Sequence, residues 1–278
     1  MTKYDDIIEY LIKEKEKSEP FLHVDYFALV EKMLPYIGHP DPFVRDDIVC
    51  ESLAAVTNHL TSDEIKKLIK MYLSDDYLFY DINNHDQYSV LKRTFTLLQL
   101  AYILYLNQEK GVLNPSIVQD IGKAMVQYLE EETVLDGYDD SVGWMHSVAH
   151  SADVLGRLFQ SKDLEKDVQE ALLDLLVFKI QQNQYVYIDG EEERIVQAIL
   201  KGLKSGVLSN DLVEDFVSKL GRFEHQNTYR DYFKIHLNVK ALLGTLYFAL
   251  INEKQYDDIL GSIEKAMHTS NKAVIKKS

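Results

Sequence analysis

The sequence predicts an all-α protein: an α-α superhelix of antiparallel helix pairs, HEAT- or armadillo-like, with about twelve helices. Three observations carry that expectation. Only 5 Pro and 12 Gly punctuate 278 residues. Apolar residues recur at spacings of three and four instead of alternating. Amphipathic helices of similar pattern also return at a regular interval along the chain.

The elements follow in order. Ile7, Ile8, Leu11 and Ile12 mark one face of the first helix. Asp41-Pro42-Phe43-Val44-Arg45 opens the next amphipathic run, and Thr61 with Glu64 has the spacing of a capping box, so a helix starts near Ser62. Residues 75–83 (DDYLFYDIN) are expected to plug the space between helix pairs, with a pocket rim as the alternative. His85-Asp86 resembles the metal-binding dipeptide of helical phosphohydrolases, with His59 and Asp153 at suitable distances. Its loop-like context favours Asp86 as the cap of a helix running from Tyr88. Further helices start near Pro115, Val142, Lys162, Glu191, Ser209, Thr228 and Gln255. No linker divides them, so residues 1–278 form a single domain, with a basic tail (270–278) expected to be disordered.

The repeat is carried by residues 41–56, 87–104, 141–159 and 189–203. Each places a basic or imidazole side chain early and then turns apolar. The anchors Arg45, Arg93, His146 and Arg194 are spaced by 48, 53 and 48 residues, near the ~40–47 residues of HEAT and armadillo units. Residues 231–250 read as a fifth unit anchored at His236, Asn238 or Lys240. Equivalent positions of stacked units align, so the four anchors are expected to form a polar row. Arg45 beside Asp46 and Asp47, and Arg194 beside Glu191 to Glu193, read as solvated salt-bridged faces. Arg93, closely followed by apolar residues, is expected to reach a buried carboxylate or a ligand anion.

Charge narrows the function classes. Lys and Arg total 30 against 45 Asp and Glu, a formal charge of −15. Such a surface repels phosphate backbones and anionic lipid, so neither nucleic acid nor a membrane is expected as a partner. A lone cysteine, Cys50, excludes an intramolecular disulfide and a cysteine-based zinc cluster. The first residues lack the apolar core of a signal peptide, so a cytoplasmic location is expected.

The chemistry concentrates in GWMHSVAHSAD, residues 143–153, which holds the chain's only tryptophan. On a helix starting near Val142, His146, His150 and Asp153 share one face at i, i+4 and i+7. Tyr138 and Asp140 precede them, with Asp139, Asp140 or Ser141 as the cap region. His146 and His150 have the spacing of a pair of divalent-metal ligands, but Ser147 stands where a zinc protease needs its glutamate. A histidine oriented by Asp153, Asp139 or Asp140 could serve as a general base, although no nucleophile motif accompanies it. The third reading is a buried seam in which each ring hydrogen-bonds to a carbonyl, an Asp or one of 18 tyrosines.

The same residues resemble the G-W-x-H-x-x-x-H-x-A-D signature of an uncharacterised bacterial family, catalogued as domain of unknown function two-seven-eight-five. GYDD (137–140), the RTF helix (93–95), EEERIVQAIL (191–200) and NVKALLGTLYFAL (238–250) extend the resemblance over about residues 40–252. Ser151 departs from the glycine expected there. The resemblance implies that Trp144, His146, His150 and Asp153 form one constellation, and it implies no reaction. The leading expectation is a binding or scaffold protein whose concave polar groove takes a small anionic ligand or a peptide. Arg93, Arg194, His146 and His150 would be its donors, and no cofactor is required. The alternative is a hydrolase using His146 and His150, with or without a divalent metal.

Overall fold

The computed structural model describes residues 4–83, 86–223 and 228–275; His85 of the His-Asp pair lies outside them. The chain is all-α, with twelve α-helices and one two-stranded hairpin among the described residues. From the middle of the chain onward, alternate helices stack into two layers. One contains α5 (Val90–Lys110), α7 (Ser147–Leu158), α9 (Glu191–Ser205) and α11 (Tyr229–Leu250). The other contains α6 (Pro115–Glu131), α8 (Lys166–Ile180), α10 (Asn210–Leu220) and α12 (Asp257–Ile275). That alternation is what an α-α superhelix requires, and one hydrophobic core runs between the layers from Ile8 to Ala266.

Local chemistry sets most of the boundaries. Thr61 and Glu64 form the capping box of α4 (Ser62–Tyr72): the Glu64 amide donates to Thr61 Oγ1 at 3.3 Å, and the Thr61 amide donates to Glu64 Oε2 at 2.8 Å. Asp86 Oδ1 accepts from the Tyr88 amide ahead of α5. Leu78, Phe79 and Ile82 are buried, so residues 75–83 are a plug. At the C-terminus α12 is described through Ile275, and residues 276–278 lie outside the described residues.

Two departures matter for the site. Residues Phe43–Cys50 are π-helical before tightening into α3 (Glu51–Thr57), a wide turn often found where function reshapes a helix. Its Arg45 is fully buried instead of lying on a solvated face. The guanidinium donates to the carbonyls of Val142 at 2.8 Å and His39 at 3.1 Å, tying this helix to a segment 97 residues away. The second departure is at Val142, where no helix begins. Instead β1 (Tyr138–Asp139) pairs antiparallel with β2 (Gly143–Trp144), and α7 starts only at Ser147. Asp139 makes this turn by accepting from the amides of Ser141 and Val142. Val142 and Met145 then pack with Val90 and Leu91 in a small core of their own.

Arg93 reaches a buried carboxylate, as its apolar context predicts. Its Nε and Nη2 bind both oxygens of Glu132, at 2.7 and 2.9 Å, and its Nη1 donates to Ser89 Oγ and the Tyr80 carbonyl. Glu132 also accepts from Tyr128 Oη and the Val134 amide. All donors and acceptors around this pair are matched, so removing one partner leaves a buried charge alone. Arg93→Met is expected to destabilise the fold by about 3–5 kcal/mol in urea unfolding. A loss below about 1 kcal/mol would show that the pair is not structurally required.

Candidate functional site

Gly137 holds the segment that carries the site. Its carbonyl accepts from the amides of both Met145, at 2.9 Å, and His146, at 3.2 Å, closing the hairpin against the start of α7. A side chain at 137 could not be accommodated, because a Cβ there would lie 2.4 Å from Glu191 Oε1 and 2.6 Å from Asp189 Cβ. His146 takes the left-handed conformation at φ 46°, a strained state for a residue with a Cβ, in which it caps the helix. Its carbonyl accepts from the His150 amide, so the first histidine is the junction and the second lies one turn into α7.

The two rings belong to a continuous series of π contacts. Trp144 stacks on His146 at 4.5 Å with an interplanar angle of 5°, and Tyr138 meets Trp144 edge-on at 4.8 Å. His146 lies 5.4 Å from His150, which meets the Phe95 ring edge-on at 5.5 Å. Arg45 closes the series over the other part of Phe95, 4.6 Å from its centroid. The Arg45 cation is thus an internal brace that holds both the hairpin and the aromatic base of the site.

A cavity of about 530 Å³ opens at these rings, lined by Trp144, His146, His150, Phe95, Cys50 and Leu98. Its charged rim is Asp46, Asp189, Glu193 and Arg194. Burial pushes the His150 imidazole down to about 3, helped by the nearby His146 and Arg194, and pushes His146 down to about 4, helped by Arg194. Both rings are therefore neutral near pH 7. His150 Nδ1 lies 3.2 Å from the Thr94 carbonyl. A carbonyl can only accept, so Nδ1 carries the proton and Nε2 is left as the acceptor. His146 Nδ1 is buried with no hydrogen-bond partner among the described residues. Burial, then Asp46, pushes the Cys50 thiol up to about 12, and Gln99 donates to its sulfur at 3.2 Å.

The structure brings together only part of the expected set. Trp144, His146, His150 and Arg194 share the cavity, and Tyr138 supports Trp144 from outside. Asp153 turns aside to pair with Arg194 at 2.7 Å and lines a neighbouring cavity. Asp140 is exposed in the hairpin turn, and Arg45 lies beneath the site. Arg93 is engaged by Glu132 and, like Arg45, does not line the cavity, so only His146 and Arg194 of the four anchors do. Sequence reasoning missed Phe95, Leu98, Asp46, Asp189 and Glu193. Cys50 entered the sequence reading only as a lone cysteine, and the π-helical turn delivers both Asp46 and Cys50 to the cavity. Among the described residues no three His, Cys, Asp or Glu side chains converge as a metal-holding group. The pair His146 and His150 therefore lacks a third protein ligand there.

The constellation sits inside a recognisable stretch of sequence. A family model described as protein of unknown function (DUF2785) matches residues 78–248. The chain belongs to that family. The DUF2785 match covers every cavity residue except Asp46 and Cys50. No curated protein and no solved structure matches the chain.

The depressed imidazoles make stability depend on pH with a definite sign. The unfolded rings bind protons below about 6.5 while the folded rings stay neutral down to about 4 and 3. Their stabilisation is complete above 6.5 and is lost as pH falls through that window. Each contributes a slope of up to about 1.4 kcal/mol per pH unit. Glu191, buried and raised from 4.5 to about 7, acts with the opposite sign between those values. Comparison of the wild type with His150→Gln isolates the ring. In urea unfolding from pH 7 to pH 5, the wild type is expected to lose more stability than the variant. Equal slopes would contradict a buried neutral His150.

Proposed function

We propose that the chain is a binding protein that holds a small polar ligand, or the end of a peptide, in the imidazole cavity. The observation that carries this reading is the pair of neutral imidazoles lining a cavity beside an indole. His146 Nδ1 is buried with no hydrogen-bond partner among the described residues, and His150, whose Nε2 is the acceptor nitrogen, lines the same cavity. A buried polar atom without a partner is rare in folded proteins, and a ligand would satisfy His146 Nδ1 while bonding to His150 Nε2. The hydrolase alternative is less well supported. A general base works best with a pKa near the working pH, and these rings are depressed to about 4 and 3, while the Cys50 thiol is raised.

The rim charge refines the ligand class. Asp46 is paired with Arg45 and Arg194 with Asp153, which leaves Asp189 and Glu193 to set the sign of the rim. A neutral or cationic group rich in hydrogen-bond donors therefore suits this cavity better than the anion the sequence suggested. Trp144, nearly half exposed, offers a π face for it. The anchor spacing supports reading the two-layered array as HEAT-like, and the free Cys50 supports a cytoplasmic setting. The charge of −15 makes nucleic acid and anionic lipid poor partners.

Trp144 is the only tryptophan and stacks on His146, so its emission reports on the cavity. Titration with a panel of small amines, amides and dipeptides is expected to give a saturable change for at least one compound. His150→Phe, which keeps an aromatic ring and removes the acceptor, is expected to weaken it at least tenfold. No saturable change across the panel, or equal affinity in the variant, would refute the reading.

A further inference from the structure

A second cavity lies beside the first, on the same faces of α5, α7 and α9. It measures about 350 Å³ and is lined by Leu98, Ala101, Tyr102, Tyr105, Asp153, Arg157 and Lys201. Leu98 is common to both cavities, and the Asp153–Arg194 pair stands between them. The helical register explains the grouping. Asp153 and Arg157 follow His146 and His150 down one face of α7, while Arg194 and Lys201 are seven residues apart on α9. Gly156 lets α9 close in: a Cβ there would meet Ala198 Cα at 3.3 Å and Lys201 Cδ at 3.2 Å.

We propose that this second cavity is an anion site, in which Lys201 and Arg157 hold a carboxylate or phosphate group against Tyr102 and Tyr105. Three features support it. First, the one acid in the lining, Asp153, is paired with Arg194. Two cations, Arg157 and Lys201, therefore face the cavity with a single carboxylate that is shared with Arg194, and the lining is net positive. In a chain of net charge −15 that is a local inversion of sign. Second, Lys201 is partly buried and makes no hydrogen bond or ion pair among the described residues, while burial and the charge of Arg157, opposed by Asp153 and helped by Arg194, hold its ammonium below the usual lysine range. An anion would relieve all of those effects at once. Third, Arg157 is pre-positioned: its guanidinium lies over the Tyr105 ring, 5.0 Å from the centroid, and its Nη1 donates to Gln108 Oε1 at 3.1 Å. That leaves further N–H groups in a fixed fork for an oxyanion.

The site stands independently of the imidazole cavity. Where both are filled by one molecule, that molecule carries a donor-rich group at the histidines and an acidic end at Lys201.

The test is a proton–nitrogen NMR titration of the deuterated full chain with inorganic phosphate and, separately, with acetate. The amides of residues 153–157 and 198–202 are followed. Saturable shifts confined to these amides are expected for at least one anion. The tighter-binding anion identifies the group as a phosphate or a carboxylate. Lys201→Met keeps the aliphatic stem against Gly156 and is expected to weaken binding at least tenfold, whereas Lys201→Arg retains it. No saturable shift with either anion, or unchanged affinity in Lys201→Met, would overturn the proposal. Neither result bears on the Trp144 titration, so the two sites fail or stand separately.

Discussion

The carbonyl oxygen of Gly137 accepts two amides, and the geometry of the site follows from that. By holding Met145 and His146 together, it turns the chain from a strand into a helix within two residues. The turn forces His146 into the left-handed region and lays its ring flat on Trp144. The next ring, His150, then falls between Phe95 and His146. Arg45 secures the same hairpin from below through the Val142 carbonyl, so two distant segments hold one short loop. The strain at His146 is retained because the hairpin, its small core and the Arg45 brace jointly specify it.

The electrical character of the site follows from that placement. Rings packed this deeply lose their protons, so the protein gives up two cations in a cavity whose rim already carries acid. Neutral imidazoles present one donor and one acceptor each, which suits recognition of a polar group more than proton transfer near pH 7. About two turns along the same helices the sign reverses, because Lys201 and Arg157 project where Asp153 is already engaged. The groove is thus polar in two distinct ways, and the α5, α7 and α9 stripes keep the two characters apart.

Much of this was legible in the residues. The three- and four-residue apolar spacing gave the helices, and the Thr61/Glu64 box and Asp86 cap were found where local chemistry placed them. Arg93 was correctly read as a buried cation because apolar residues surround it in sequence. Arg45 was misread because Asp46 and Asp47 beside it imitate a solvated face, while its burial depends on contacts 97 residues away. The hairpin at 138–144 escaped because two-residue strands have no periodicity to detect and His146 is a left-handed residue other than glycine. Cys50, Asp46, Asp189 and Glu193 join the site through tertiary packing, which helical spacing alone does not encode. The resemblance to a family through the Trp-His-His-Asp stretch agrees with the match over residues 78–248, yet Asp153 belongs to the neighbouring cavity.

The central claim is that His150 is a neutral ring, protonated on Nδ1 towards the Thr94 carbonyl, with Nε2 offered to the cavity. Long-range proton–nitrogen correlation spectra of the histidine rings at pH 7 test this directly. A neutral His150 is expected, with the proton-bearing shift on Nδ1 and the unprotonated shift on Nε2, alongside a neutral His146. An imidazolium signature, or a proton on Nε2 of His150, would contradict it.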